Sequence, residues 1–164
     1  MMRSYMLSYL AEQAESLGAG FAQRFANPWL VWEPGNWHPP KREAETSTDV
    51  ALPTGPNHPS SADALCFELK SDLGGPGLHI GRDPTNDVVV NDATVSREHL
   101  MLIHEAGAWL ARPVAGRLVK VGGIATSFDS KVHSGIAITL GSVQLTFYDP
   151  AGLLGRLGRG KVKA

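Results

Sequence analysis

From Ala64 onward the chain is a succession of short apolar runs separated by turn residues, and this pattern constrains the fold more than any other feature. We predict strands near residues 65–70, 78–81, 87–91, 99–104, 108–113, 117–121, 125–128, 136–140 and 143–148. The intervening segments are rich in Gly, Pro, Asn, Asp and Ser, the residues that tight turns favour. Many short strands at regular spacing predict an all-β sandwich.

Two loops of this region combine arginine, serine and histidine at a characteristic spacing. An apolar run ends in Gly81-Arg82, the short strand Val88-Val89-Val90 follows a turn, and a loop then presents Ser96-Arg97-Glu98-His99. A guanidinium and a hydroxyl at one end of a sandwich are donors of the kind that a phosphate dianion requires. Considered singly, these arginines are indistinguishable from ordinary surface residues, so the order and spacing of the whole set carry the argument.

Gly-Arg followed by Ser-x-x-His across a short strand resembles the signature of the forkhead-associated (FHA) domain. The resemblance extends from about Leu65 to Tyr148. It implies an FHA β-sandwich of two antiparallel sheets that binds phosphothreonine and performs no chemistry. The predicted fold is therefore all-β, with an N-terminal helix and a Pro-rich linker added to the sandwich.

The resemblance also assigns roles to individual residues. Arg82 and Ser96 are expected to hold the phosphate, and Arg97 is expected to assist them. Gly81 is expected to be structural, because it lets the backbone turn without a Cβ clash. His99 is expected to brace the binding loop by hydrogen bonding without touching the ligand.

One part of the chain departs from the family pattern. FHA domains carry Asn-Gly-Thr between the next pair of strands, and the asparagine grips the ligand backbone. Here residues 113–123 read Pro-Val-Ala-Gly-Arg-Leu-Val-Lys-Val-Gly-Gly. If Gly122-Gly123 matches the following turn, Arg117 occupies the asparagine position and Leu118 the glycine position. Arg117 then supplies a cation to the phosphate or to an acidic ligand residue; alternatively, this edge has decayed and binding no longer depends on phosphate.

The N-terminal segment has the spacing of an amphipathic helix. Ser4 is a candidate N-cap, Pro28 ends the pattern, and Gly18 and Gly20 weaken its middle. The apolar positions follow one another at intervals of three or four residues: Met6, Leu10, Ala14, Leu17, Phe21 and Phe25. A helix this weak requires a partner surface, so we expect it to dock on the sandwich or to mediate dimerisation.

A tryptophan-rich run and a proline-rich stretch follow. Trp29, Trp32 and Trp37 lie within nine residues, and this cluster either packs on its own domain, which we favour, or anchors a partner. Seven of the eleven prolines lie between Pro28 and Pro59. The predicted organisation is an N-terminal helix and Trp-rich segment (1–32), a Pro-rich linker (33–62), the FHA domain (63–150) and a short basic tail (151–164). Within the linker, the threonine at position 46 and the aspartate at position 49 suggest an internal ligand.

Composition excludes several functional classes. The net charge of −1 lacks the basic footprint of a nucleic-acid-binding protein, although residues 151–164 hold four basic and no acidic side chains. A single cysteine, Cys66, excludes an internal disulfide and is predicted to be buried in the core. The six histidines lack the spacing of a metal site, so no metal and no cofactor are expected. No segment is long and apolar enough to span a membrane, and a soluble, cytoplasmic protein is predicted.

Two patterns resemble enzyme sites, but each lacks a feature that catalysis requires. Residues 155–161 have the spacing of a P-loop, but Val162 stands where magnesium binding requires Ser or Thr. A final helical turn at residues 151–157 and a flexible basic tail are predicted instead. Ser96, His99 and Asp92 could form a hydrolase site, but Ser96 lacks the context of a nucleophile elbow.

The predicted function is that of a phosphothreonine-peptide-binding module, not an enzyme, acting as a signalling adaptor. By family analogy it resembles a bacterial adaptor whose partner is a Thr-phosphorylated protein, such as a Ser/Thr kinase or a kinase substrate. No nucleic acid or membrane partner is expected, and the oligomeric state is left open. The alternative is a phosphate-independent interaction or scaffold domain with a degenerate ligand loop.

Overall fold

A computed structural model describes residues 3–40, 56–70 and 77–161 of the chain. Within these residues, three helices have the bounds α1 (Leu7–Leu17), α2 (Gly20–Arg24) and α3 (Pro150–Lys161). The strands have the bounds β1 (Ser4–Met6), β2 (Trp29–Trp32), β3 (Leu65–Glu68), β4 (Leu78–Gly81), β5 (Val88–Val89), β6 (Leu100–Glu105), β7 (Ala108–Pro113), β8 (Val119–Val121), β9 (Ile124–Thr126), β10 (Ser130–Val132), β11 (Ala137–Leu140) and β12 (Val143–Tyr148).

The strands form two sheets that pack face to face. The larger sheet has seven strands in the order β1-β3-β2-β12-β11-β8-β9, and the smaller has five in the order β10-β7-β6-β4-β5. Neighbouring strands are antiparallel except β4 and β5, which are parallel. Alternate side chains of both sheets point inward and form one hydrophobic core, as period-2 strands require. The predicted β-sandwich is confirmed.

Strand β2 lies inside the larger sheet, between β3 and β12. All four of its side chains are buried. Leu30 and Trp32 join the core between the sheets, whereas Trp29 and Val31 face a second apolar cluster on the outer side of the larger sheet. The run is uniformly apolar because both faces of the strand are covered. The prediction that the tryptophans pack on their own domain is confirmed.

The helices form the layer that covers this outer face. Side chains from all three helices, together with Phe25 directly after α2, are buried against Trp29, Val31 and Cys66: Leu10, Phe21, Phe25, Leu153 and Leu157. The expected N-terminal helix therefore docks on the sandwich. The segment differs in detail from its prediction, because Ser4 belongs to β1 and Gly18, with φ of 54°, ends α1 after Leu17. Residues 4–32, predicted to lie outside the domain, contain β1 and β2 of its larger sheet.

The C-terminal segment also differs from its prediction. Residues 150–161 form α3, which extends the predicted turn at 151–157 and replaces the predicted flexible tail up to residue 161. Leu153 and Leu157, four residues apart, lie on the same helix face and are buried to 0% and 3% exposure. Burial of this face outweighs the low helix propensity of the glycines in the segment.

The ends of the predicted linker are attached to the sandwich. Residues 33–40 continue directly from β2, and the Ser4 hydroxyl donates to the carbonyl of Pro56 at 2.5 Å. The proposed internal ligand at positions 46–49 lies outside the described residues. Cys66 is buried as predicted, and burial raises the pKa of its thiol, which makes it an unreactive core residue.

A half-buried ion pair fastens α3 to the end of β2. The Arg156 guanidinium donates to both carboxylate oxygens of Glu33, at 2.6 and 2.7 Å. Glu33 also accepts a hydrogen bond from the Thr146 hydroxyl at 2.6 Å, and Arg156 donates to the Tyr148 hydroxyl at 3.1 Å. These bonds to Glu33 raise the pKa of Arg156, so the guanidinium stays charged.

We expect Arg156→Ala to lower the free energy of unfolding by about 1–3 kcal/mol, because it leaves a half-buried carboxylate without its main partner. The control is Arg112→Ala. Arg112 forms a similar bidentate pair with Asp129, but the two side chains are 50% and 39% exposed, against 23% and 18% for Arg156 and Glu33. The control should lose clearly less stability than Arg156→Ala, because solvent screens an exposed pair. Urea denaturation measures both, and equal losses would contradict the assigned role of burial.

Deleting residues 1–32 should abolish cooperative folding. The deletion removes β1 and β2 and separates β3 from β12, so the larger sheet loses its central pairing. Circular dichroism during heating provides the measurement. A shortened chain that keeps its strand signal and melts cooperatively would show that the N-terminal segment is dispensable.

Candidate functional site

Gly81 lies where two loops of the smaller sheet press against each other. The amide of Arg82 donates to the carbonyl of Ser96 at 2.9 Å, and the amide of Asp83 donates to the carbonyl of Arg97 at 3.2 Å. A Cβ added at Gly81 would lie 2.1 Å from the Arg97 carbonyl oxygen. Glycine is thus required by this close approach of two backbones. The contact brings Arg82, Ser96 and Arg97 to one end of the sandwich.

Arg82 is half-buried and held by the opposite loop. Its Nε donates to the carbonyl of Val95 at 3.0 Å. This bond orients the planar guanidinium, whose donors have fixed directions. Ser96 is half-exposed and Arg97 is exposed, so both side chains border the solvent beside Arg82.

Two further residues of this end were not identified from the sequence. Asn86 is buried, and its Nδ2 donates to the carbonyls of Asp83 and Arg97 at 2.8 and 2.7 Å, which fastens the two loops together. Asp83 accepts hydrogen bonds from the Thr85 amide and hydroxyl. These bonds, with the charges of Arg97 and Arg82, lower the pKa of Asp83. Both residues belong to the Pro84-Thr85-Asn86 turn region, and their only sequence signal is turn composition.

His99 connects the Ser96 loop to the segment that departs from the family pattern. Its Nδ1 accepts from the Ser96 amide at 3.1 Å, and its Nε2 lies 3.3 Å from the Leu118 carbonyl oxygen. Because Nδ1 is an acceptor, the ring proton is on Nε2 and is donated to Leu118. Burial lowers the pKa of His99, and the charge of Arg117 lowers it further, so the ring is neutral.

Arg117 lies close to this histidine on the exposed surface. A turn in which the Arg117 amide donates to the Val114 carbonyl at 2.8 Å, with Gly116 at φ of 83°, presents Arg117 and Leu118 outward. Leu118 is 63% exposed. The structure thus brings the loops of Arg82, Ser96 and Arg97 together directly, and His99 joins the Ser96 loop to Leu118, the residue after Arg117.

The hydrolase alternative has no matching geometry. Ser96 contacts His99 through its backbone amide, and Asp92 bonds to Thr94 and His38. Ser96, His99 and Asp92 therefore do not form a nucleophile–base–acid array. Among the described residues, no cluster of three or more His, Cys, Asp or Glu side chains is arranged to hold a metal ion.

A family model described as "inner membrane component of T3SS, cytoplasmic domain" matches residues 69–151, half of the chain. The chain belongs to this family. Its domain is of the FHA type, as the Gly-Arg and Ser-x-x-His pattern predicted. The match begins after β3 and ends at the start of α3, so it contains every residue of the site just described. Among the described residues, none of the helices is long and apolar enough to cross a membrane.

Several solved structures are similar to this one. The FHA domain of the CT664 protein from Chlamydia trachomatis is 20% identical, with 75% of this chain and 98% of that chain covered and a TM-score of 0.49. Mycobacterium tuberculosis EmbR in complex with a low-affinity phosphopeptide is 23% identical over 47% of this chain and 21% of that chain, with a TM-score of 0.43. The FHA-2 domain of the Mycobacterium tuberculosis ABC transporter Rv1747 is 22% identical over 67% of this chain and 93% of that chain, with a TM-score of 0.42. No curated relative of the chain was found.

The buried, neutral state of His99 predicts a pH dependence of stability. The unfolded chain takes up a proton near the ordinary histidine pKa of 6.5, whereas the native ring resists protonation. The stability that His99 contributes is therefore present above this value and is lost as the pH falls from it toward the lower native pKa. Urea denaturation at about pH 7.5 and about pH 5.5 should show this loss, and His99→Gln should reduce it. His133→Gln, at an exposed histidine, is the control, and equal behaviour of the two variants would contradict the prediction.

Proposed function

We propose that this protein is a phosphothreonine-peptide-binding module that acts as a cytoplasmic signalling adaptor in a bacterial cell. The observation that carries the proposal is the convergence of Arg82, Ser96 and Arg97 at one end of the sandwich, with the Arg82 guanidinium oriented by Val95. Arg82 and Ser96 hold the phosphate, and Arg97 adds a second positive charge. Gly81 permits the close approach of the loops, and His99 braces the Ser96 loop.

The chemistry of the site favours a phosphate over a neutral ligand. A phosphorylated threonine carries about −1.5 to −2 charges at neutral pH and three acceptor oxygens. Arginine forms bidentate, charge-assisted hydrogen bonds with such a group. Because Nε of Arg82 is already bonded to Val95, the phosphate is bound by the two terminal nitrogens of the guanidinium. Binding makes and breaks no covalent bond, so the proposed function is not enzymatic.

Arg117 extends the cationic surface toward the part of the ligand that follows the phosphothreonine. It occupies the position at which FHA domains carry the asparagine that grips the ligand backbone. A guanidinium here selects an acidic ligand residue rather than the ligand backbone. The partner is accordingly a protein phosphorylated on threonine, such as a Ser/Thr kinase or its substrate.

A second candidate is a phosphate-independent scaffold function. It is favoured by the replacement of the asparagine and glycine by Arg117 and Leu118, and by the description of the matching family as a component of the T3SS. In that case the ligand end of the sandwich contacts a partner surface without a phosphate. Binding of an unphosphorylated partner with the same affinity as its phosphorylated form identifies this function.

Calorimetry with a phosphothreonine peptide library and its unphosphorylated counterpart tests the proposal. We expect micromolar binding of a phosphorylated peptide, about 8 kcal/mol of binding free energy. Arg82→Ala should weaken it by at least about 2 kcal/mol, or roughly thirty-fold, through loss of charge-assisted hydrogen bonds. The matched control is Arg112→Ala, an exposed arginine of β7 paired with Asp129, which should bind like the wild type. Equal binding by Arg82→Ala and the wild type would show that the phosphate site lies elsewhere.

A further inference from the structure

The segment 33–40, here called the strap, is bonded to the sandwich at both ends. At its start, the Glu33 amide donates to the Gln144 carbonyl at 2.9 Å, and the Glu33 carboxylate is paired with Arg156. At its end, the indole N–H of Trp37 donates to the Asn91 carbonyl at 2.5 Å. The Trp37 ring also stacks on His58, with 3.6 Å between ring centroids. A segment attached in this way is part of the folded domain.

Asp92 is the buried centre of the contact between the strap and the 91–96 loop. Its Oδ2 accepts from the His38 amide at 3.0 Å, and its Oδ1 accepts from the Thr94 amide and hydroxyl at 2.8 and 2.6 Å. The Ala93 amide donates back to the His38 carbonyl at 2.7 Å. Burial opposes ionisation of Asp92, but the hydrogen bonds from Thr94 and His38 outweigh it and lower the pKa. The carboxylate is thus ionised and satisfied by donors from both segments.

The 91–96 loop leads directly from these contacts to the candidate phosphate site. The Val95 amide donates to the Asp92 carbonyl at 3.0 Å, and the Val95 carbonyl accepts from Nε of Arg82 at 3.0 Å. The next residue is Ser96, whose amide is bonded to His99. Asp92 is therefore connected to the guanidinium that is proposed to bind the phosphate by two hydrogen bonds, both of which involve the backbone of Val95.

We propose that the strap is a positioning element of the phosphate site, and that Trp37 and Asp92 are positioning residues that set the 91–96 loop and through it Arg82 and Ser96. This inference rests on the proposed function. The physical reason is preorganisation: a loop that is already ordered loses less conformational entropy when the ligand binds. The strap supplies that order from a part of the chain outside the family match, which begins at residue 69.

Trp37→Phe isolates the contact. Phenylalanine keeps an aromatic ring to stack on His58 but lacks the indole N–H that binds the Asn91 carbonyl. We expect the amide hydrogens of Val95 and Ser96 to exchange faster with solvent, while those of β12 keep their wild-type rates. The affinity for a phosphothreonine peptide should fall about three- to ten-fold, the range that loss of one hydrogen bond produces.

Trp109→Phe is the matched control. Trp109 is a half-buried tryptophan of β7 whose ring stacks on His104, with 4.6 Å between centroids. Strand β7 belongs to the smaller sheet, whereas the strap follows β2 of the larger sheet. The same substitution there should change neither the exchange rates of Val95 and Ser96 nor the affinity. Asp92→Asn is a second test, because an amide offers one acceptor oxygen where three donors now converge. It should speed exchange at Val95 and Ser96 at least as much as Trp37→Phe.

The two measurements separate failure of this inference from failure of the proposed function. Wild-type exchange rates at Val95 and Ser96 in both Trp37→Phe and Asp92→Asn would overturn the positioning role, whether or not a ligand binds. If the wild type binds a phosphopeptide and Trp37→Phe binds it equally well, the strap does not act on the phosphate site. If the wild type binds no phosphopeptide, the proposed function is wrong, and the exchange rates alone then decide whether the strap holds the loop.

Discussion

Strand β2 has a hydrogen-bonded neighbour on each side and an apolar layer on each face, and the other parts of the molecule are arranged around it. Its backbone pairs with β3 and β12 over all four residues. Leu30 and Trp32 contribute to the core between the sheets, whereas Trp29 and Val31 give the helices an apolar surface to cover. Burial of large apolar side chains is the main favourable term in folding, and the side chains of this one strand are buried in two separate cores.

The position of β2 also determines where the following residues can go. Glu33 directly follows β2 and its amide donates to Gln144 of β12. Its carboxylate pairs with Arg156 of α3, so the ion pair joins the helical layer to the start of the strap. Four residues later, Trp37 reaches the Asn91 carbonyl. The strap is therefore anchored at one end by the most buried strand and at the other by the loop that precedes Ser96. A ligand loop supported on both sides in this way has few alternative conformations to lose on binding.

The sandwich and the close approach of the Gly81-Arg82 and Ser96-Arg97 loops could be predicted because their signals are local. Turn composition, period-2 strands and the Gly81–His99 spacing are all contained within short stretches. Packing of the tryptophans on their own domain was predicted, but the place of β2 inside the larger sheet was not, because its neighbours β3 and β12 are distant in sequence. Helix α3 is longer than the single helical turn predicted for residues 151–157, because its stability comes from burial of Leu153 and Leu157 and not from local propensity. The loop-supporting roles of Asn86 and Asp92 were not predicted, because buried polar residues and turn residues look alike in a sequence.

The charges at the ligand end determine which anions can compete for it. Asp83 is an ionised carboxylate that already lies within the electrostatic reach of Arg82 and Arg97, and Thr85 holds it in place. It partly neutralises the two arginines before any ligand arrives, so a second singly charged carboxylate gains little by approaching them. A phosphate dianion carries more charge and more acceptor oxygens than a carboxylate, so its attraction to the two arginines is larger. If Arg82 and Arg97 bind the ligand as proposed, an internal carboxylate beside them raises the charge that a ligand must bring and favours a phosphorylated residue over aspartate or glutamate.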